Sequence, residues 1–285
     1  MIVADGETSP NVGGGGAPTA SIIVAGAAGR MGSRIIACLA DAPDLRLVGA
    51  LEASGHASLG RDAGELAGVG RAGVTVDADA AALVTRDRVL IEFSVPDASL
   101  AHLRLVAQAG ARAVIGTTGF TAAQRAEVGE LARRTAIVMS PNMSVATNVA
   151  FKLLATMARA LGDEYDIEIT ETHHRFKKDA PSGTALRMAE IVAGALGRDL
   201  DQVAVYGRQG LPGERAKQEI GILSLRSGDV VGEHTVSFGT LGERLELVHK
   251  AHNRDTYARG ALRAARFIVG CPPGLYSMAD VLGLA

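Results

Sequence analysis

The sequence predicts an α/β protein in two parts. A parallel sheet covered by helices on both faces comes first, and a second domain of α+β character with a mixed sheet follows. Three observations predict this. From residue 21 to residue 139, short β-branched and aliphatic runs alternate with helix-period segments, as strands joined by crossover helices do. Beyond about residue 200, strand-like runs follow one another without long helices between them, as hairpins do. The 285 residues, 47% of them hydrophobic, suit two modest domains with substantial cores.

Residues 21–25 form a short β-branched run, hence a buried strand. It ends in Gly26-Ala27-Ala28-Gly29-Arg30-Met31-Gly32, after which Met31, Ile35, Cys38 and Leu39 fall at helical spacing. In a strand–turn–helix setting, glycines let the backbone turn sharply and approach a pyrophosphate at the helix N-terminus. The spacing is GxxGxxG rather than the commoner GxGxxG, and a structural glycine turn accounts for it equally well. The next strand, residues 45–51, ends at Glu52, about 20 residues past Gly32. An acid at that point accepts from an adenosine ribose hydroxyl, which favours a Rossmann-like dinucleotide-binding domain.

A third strand is expected at 74–76 and a stronger one at 89–93, broken by Ser94-Val95-Pro96. A helix at 97–109 leads to a strand at 113–115, which ends in Gly116-Thr117-Thr118-Gly119. A helix at 121–134 leads to a strand at 136–139 and then Ser140-Pro141-Asn142-Met143-Ser144. Ligands of such sheets lie at the strand C-terminal ends. Here those ends are mostly small or polar, as a cofactor cleft needs; a capped turn is the plainer account of residues 116–119.

A helix at 145–161 bridges to a half-buried strand that begins at Asp166. After a basic loop, Ser182 caps a helix whose Met188, Val192, Ala195 and Leu196 make an apolar face. Strands are expected at 202–206, 219–226, 229–237 and 244–250, and a helix at 254–269. Cys271-Pro272-Pro273-Gly274 stops that helix, and residues 275–284 pack back on the first domain. The expected boundaries are therefore 20–144 with 255–285 for the dinucleotide-binding domain and 145–254 for the second. Residues 1–19 read as a disordered Gly-rich tail, with no apolar stretch of a secretory signal and no Arg-rich transit character.

Composition narrows the partners. A formal charge of −2 and 4% aromatic residues argue against nucleic acid. No apolar run approaches the roughly 20 residues of a membrane span. Cys38 and Cys271 are the only cysteines, with neither metal spacing nor a disulfide framework, so a reducing cytoplasm is the simplest setting.

Against that background, Glu171-Thr172-His173-His174-Arg175-Phe176-Lys177-Lys178-Asp179-Ala180-Pro181-Ser182-Gly183-Thr184 is dense in cations. Cations on one side and helix N–H groups on the other make an anion receptor, suited to a small substrate with paired carboxylates. A histidine there exchanges protons near neutral pH. A solvated basic loop is the plainer account. His173 and His174 point opposite ways on an extended chain and no carboxylate triad accompanies them, so no metal is expected. His56, His102, His234, His249 and His252 read as structural or surface residues.

The segments 26–32, 116–120 and 171–175, and Lys177 with residues 179–185, occur together and in order. Through them the chain, from about residue 21 onward, resembles the 4-hydroxy-tetrahydrodipicolinate (dihydrodipicolinate) reductase family. The resemblance implies an enzyme of lysine and diaminopimelate biosynthesis that uses NADH or NADPH. It implies a mixed-sheet domain that binds a cyclic dicarboxylate and forms a homotetramer. It assigns acid–base chemistry to His173 and proton donation to Lys177. By the same resemblance, His174, Gly183 and Thr184 bind substrate, and Ser182 stands with them at the helix start. Cofactor positions fall on Gly26, Ala27, Ala28, Gly29, Arg30, Met31, Glu52, Gly116, Thr117, Thr118, Ser140, Pro141, Asn142 and Met143. Two departures argue against tight recognition of a 2′-phosphate: Ala53 stands where many members have a basic residue, and Val95 where some have Arg. Two other readings stay open: another nicotinamide dehydrogenase, acting on an amino acid or its semialdehyde, and a dinucleotide-sensing regulator without catalysis.

Overall fold

A computed structural model describes residues 20–284, so the tail expected at 1–19 lies outside the described residues. The chain begins β1 (Ala20–Ala25), α1 (Arg30–Ala40), β2 (Leu45–Leu51), α2 (Ala63–Ala67), β3 (Val76–Asp77), α3 (Ala80–Leu83) and β4 (Arg88–Glu92). It continues with α4 (Pro96–Ala109), β5 (Arg112–Ile115), α5 (Ala122–Ala132), β6 (Ala136–Met139) and α6 (Val145–Leu161). Then come β7 (Asp166–His173), α7 (Gly183–Ala195), α8 (Leu200–Val203), β8 (Ala204–Val205), β9 (Ile220–Arg226), β10 (Gly232–Thr240) and β11 (Glu243–Ala251). Last are α9 (Asp255–Ile268), β12 (Gly274–Tyr276) and α10 (Met278–Val281).

Seven strands form one parallel sheet in the order β12-β6-β5-β4-β1-β2-β3. Its central strands are apolar on both faces because both faces are covered. Ile22, Ile23 and Val24 of β1 and Val89, Leu90 and Ile91 of β4 are all buried. Ile35, Ile36 and Leu39 of α1 share one core with Ala261, Leu262 and Ile268 of α9. Leu100, Leu103 and Val106 of α4 and Val128 of α5 belong to the core on the other face. Leu103 is fully buried, and truncating it to Ala is expected to cost about 2–5 kcal/mol. The segment after residue 254 thus returns to the first sheet. Arg34 of α1 holds Asp255 at 2.6 Å, and β12 pairs with β6 in parallel.

The second sheet has the order β11-β10-β7-β9-β8. Its β7–β10 and β10–β11 pairs are antiparallel, and its β7–β9 and β8–β9 pairs are parallel. Leu154 of α6 and Met188 and Val192 of α7 cover one face, against Ile167, Ile169, Ile222, Val236 and Phe238. The opposite face carries Leu223, Leu225 and Val248, all exposed.

Three elements differ from expectation. The strand expected at 74–76 is Val76–Asp77, because Thr75 pairs with Asp62 instead. Gln202 and Val203 are helical, since Asp199 caps Leu200–Val203 and leaves only Ala204 and Val205 in the sheet. The strand expected at 229–237 is displaced to Gly232–Thr240 by a turn in which Val230 N–H donates to Ser227 O.

Candidate active site

The C-terminal ends of the parallel strands gather the glycine loop and its partners. Gly26 has a φ of 71°, a conformation that L-residues rarely adopt. A Cβ on Gly32 would strike Gly26 O, so α1 packs this closely on β1 only because that position is glycine. Gly29, the N-cap of α1, has no side chain to cap the helix, so no side chain claims the first-turn N–H groups. The Glu52 carboxylate turns back onto the loop. It accepts from Ala28 N–H at 2.8 Å and from Ala53 N–H at 3.3 Å, with lone pairs to spare. An uncapped helix start beside a tethered acid fits the pyrophosphate and ribose of a dinucleotide.

The other expected cofactor positions divide by burial. Ala27 and Met143 are packed into the core, so only their main chain can face a ligand. Thr117 is also buried, and its Oγ1 accepts from Ser99 Oγ at 2.8 Å. Gly116 N–H donates to Glu92 O at 2.9 Å, and Ser140 Oγ donates to Asn142 O at 2.8 Å. Thr118, Pro141 and Asn142 reach a cleft of about 320 Å³, whose other walls are Phe151, His173, Lys177, Asp179, Ser182, Gly183, Thr184 and Arg187. The ends of the parallel strands and the basic loop therefore share one cavity.

The alternation of β7 builds the far wall. Ile167, Ile169, Glu171 and His173 all point inward, so an apolar face turns into an acid and an imidazole at its end. His173 Nδ1 lies 2.5 Å from Glu171 Oε2, and the Glu171 side chain is fully buried. Arg226 Nη1 reaches both Glu171 oxygens, at 3.1 and 3.0 Å, and Ser182 N–H donates to Oε1 at 3.1 Å. Burial pulls the Glu171 carboxyl upward, but hydrogen bonds, His173's foremost, outweigh it and hold the group below the usual carboxylate range. Burial pushes the His173 imidazole below its ordinary value, against the opposing pull of Glu171.

Lys177 Nζ stands 2.9 Å from both oxygens of Asp179. Ser182 caps α7 as expected, its Oγ accepting from Ala185 N–H at 3.1 Å, and Gly183 and Thr184 open the helix beside the cleft. His174 is not among the cleft-lining residues; its ring lies 6.3 Å from that of Phe176.

Four site residues escaped the sequence reading: Glu171, Asp179, Arg226 and His234. Glu171 and Asp179 carry a usable signal, since Glu171 stands two positions before His173 and Asp179 two after Lys177. His234 had none. Only the β7–β10 register sets it opposite Glu171, where its Nε2 meets Ser182 Oγ at 3.1 Å and its ring lies 5.2 Å from that of His173.

Residues 20–143 match the family model "Dihydrodipicolinate reductase, N-terminus", and residues 146–282 match "Dihydrodipicolinate reductase, C-terminus". The 4-hydroxy-tetrahydrodipicolinate reductase of Citrifermentans bemidjiense is 53% identical over 263 residues, covering 92% of this chain and 98% of the relative. That of Syntrophus aciditrophicus is 51% identical over 261 residues, covering 92% and 97%. In fold, the chain is similar to the dipicolinate-bound dihydrodipicolinate reductase of Paenisporosarcina sp. TG-14, with a TM-score of 0.69, 24% identity and coverage of 92% and 98%. With both parts matched in order and half of the aligned residues shared with these relatives, the chain belongs to the dihydrodipicolinate reductase family.

Proposed function

We propose that this chain reduces 4-hydroxy-tetrahydrodipicolinate to tetrahydrodipicolinate with NADH or NADPH, on the route to diaminopimelate and lysine. The observation that carries the reading is the shared cleft. His173, Lys177 and the N-terminus of α7 face Thr118 and Asn142 from the parallel-strand ends. A ring dicarboxylate held on that wall lies within reach of a nicotinamide seated at the strand ends.

Overall, the reaction consumes one hydride and one proton and releases the substrate hydroxyl as water. When bound, a nicotinamide would supply the hydride, with its two electrons, to the conjugated ring that loss of the hydroxyl as water leaves. The protein does the rest. Gly183 and Thr184 offer first-turn N–H groups and the Thr184 hydroxyl to a carboxylate, with Ser182 capping the helix start behind them and His174 left outside the cleft. As negative charge develops toward the imine, His173 with Lys177 supplies a proton or stabilises that charge. Gly26 through Met31, Glu52, Gly116 through Thr118 and Ser140 through Met143 hold the dinucleotide. Glu52 and Ala53 favour an unphosphorylated ribose. The decisive experiment follows loss of nicotinamide absorbance with freshly generated substrate. No turnover by protein that binds NADH would sink the reading.

We further propose a homotetramer built through the uncovered face of the mixed sheet, and a cytoplasmic setting. Leu223, Leu225 and Val248 lie exposed on that face beside Thr170, Thr172 and Thr235, and a second copy would bury them. Sedimentation of the unmodified protein and of Leu225→Glu tests the assembly; a monomer in both would refute it. Among the described residues, no helix is long and apolar enough to cross a membrane.

A further inference from the structure

Glu171 is a charged side chain with no exposed surface, in a protein whose expected chemistry does not include it. Such a group is costly to bury unless every lone pair is used. Here all the partners belong to the site. Oε2 meets His173 Nδ1, Oε1 takes the Ser182 N–H, and Arg226 bridges both oxygens. Arg226 Nη2 also binds Asp179 O at 2.6 Å, which ties down the loop between Lys177 and α7. Ser182 in turn caps α7 and meets His234 Nε2. One carboxylate therefore touches both the imidazole that handles the proton and the helix start that holds the substrate.

From this geometry we infer that Glu171 is a positioning residue for the reduction: it holds His173 with its proton on Nδ1 and Nε2 toward the cleft, and it fixes Ser182 so that the α7 N-terminus faces the same ligand. The carboxylate oxygen can only accept, so Nδ1 must donate. Nε2, which lies beside Gly232, is the ring nitrogen not held by Glu171 and is the one left to exchange protons with a ligand. The inference rests on His173 being the proton donor of the proposed reaction.

The groups that face His173 set what its pH dependence reports. Glu171 lies on its own strand, Lys177 and Asp179 on the following loop, Arg226 on β9 and His234 on β10, with His249 of β11 behind His234. Among the described residues, Glu171 is the anion in direct contact with the ring. Removing its charge destabilises the imidazolium, so the proton-donating form should disappear at lower pH. The opposite charge lost here is of the kind that shifts such a group by about one to three pH units.

The test compares Glu171→Gln and Glu171→Asp with the unmodified protein, using fresh substrate and NADH across the pH range. For Glu171→Gln we expect kcat to fall about 10- to 100-fold, the scale of a misplaced catalytic group. Substrate KM should rise, NADH affinity should stay unchanged, and the alkaline limb of the profile should move down by about one pH unit or more. Glu171→Asp should lose turnover but keep its limb nearer to that of the unmodified protein. An unmoved limb in Glu171→Gln, whether turnover holds or falls, would overturn the inference. If Glu171→Gln fails to fold, proton NMR of the unmodified protein decides. A low-field Nδ1 proton that vanishes in His173→Gln supports the inference, and its absence overturns it. Normal turnover in His173→Gln would instead sink the reading of His173 itself.

Discussion

Asn142 Nδ2 donates to Thr184 Oγ1 across 3.2 Å, so a residue after β6 grips a residue of the first turn of α7. The same Asn142 side chain accepts from Ser144 N–H at 2.9 Å, which fixes its orientation. The contact joins the parallel-strand ends to the wall proposed to bind the carboxylate. A double-mutant cycle with Asn142→Ala and Thr184→Val, read in kcat/KM, should give a coupling of about 0.5–1.5 kcal/mol. Additive effects would mean that the contact transmits nothing.

The proton-handling pair is expected to be indispensable for turnover only. His173→Gln and Lys177→Ala should each lower kcat by about 100-fold or more. NADH affinity should stay near normal, because neither side chain belongs to the glycine loop or the β2 end. Near-normal turnover in both variants would refute their roles.

For the cofactor, NADH should serve at least as well as NADPH in kcat/KM at low salt. A 2′-phosphate at the β2 end would meet the Glu52 carboxylate, already tethered toward the loop by Ala28 and Ala53. His56 offers little relief, since its Nδ1 is engaged with Ser58 Oγ at 2.7 Å. Arg61, a few residues further on, is the remaining candidate on this loop. A missing charge-assisted contact costs roughly 1.5–3 kcal/mol, or about ten- to hundredfold. Ala53→Arg should therefore shift preference toward NADPH. A preference for NADPH above about tenfold in the unmodified protein would refute this and point to His56 or Arg61.

Acid should destabilise the fold through its buried imidazoles. Burial pushes His234 down to about 3 from an ordinary 6.5, and the nearby His173 and His249 push the same way. Between those limits the unfolded chain binds a proton that the folded chain refuses. The His234 contribution is thus whole above pH 6.5 and is lost as pH falls toward about 3. At pH 5 the loss is about 2 kcal/mol. Urea unfolding at pH 7 and pH 5 should show a smaller drop in stability for His234→Gln than for the unmodified protein; equal drops would count against it.

The sequence was most readable where local pattern and tertiary demand coincide. The bounds of α6 follow from its apolar period and the Ser144 cap, and the strand ends proposed to meet the cofactor follow from βα alternation. His173 and Lys177 stood out because their charge density was abnormal for this chain. The least readable residues depend on register. Nothing local to His234 or Arg226 says that β10 and β9 will flank β7, yet that pairing brings both to Glu171. Short strands failed for a related reason. Gln202 and Val203 have strand-like neighbours, but a single Asp199 cap is enough to win them for a helix.

The return of β12 to β6 has a consequence for biogenesis. During synthesis, β6 is complete more than a hundred residues before Gly274–Tyr276 exist to pair with it. Until then the nascent sheet carries an open parallel edge while the whole mixed sheet is being made. Such edges template misassembly, and distant pairings form late. A chain stopped at Gly270 is therefore expected to aggregate or be cut by protease near β6, although every residue proposed for catalysis is already in place.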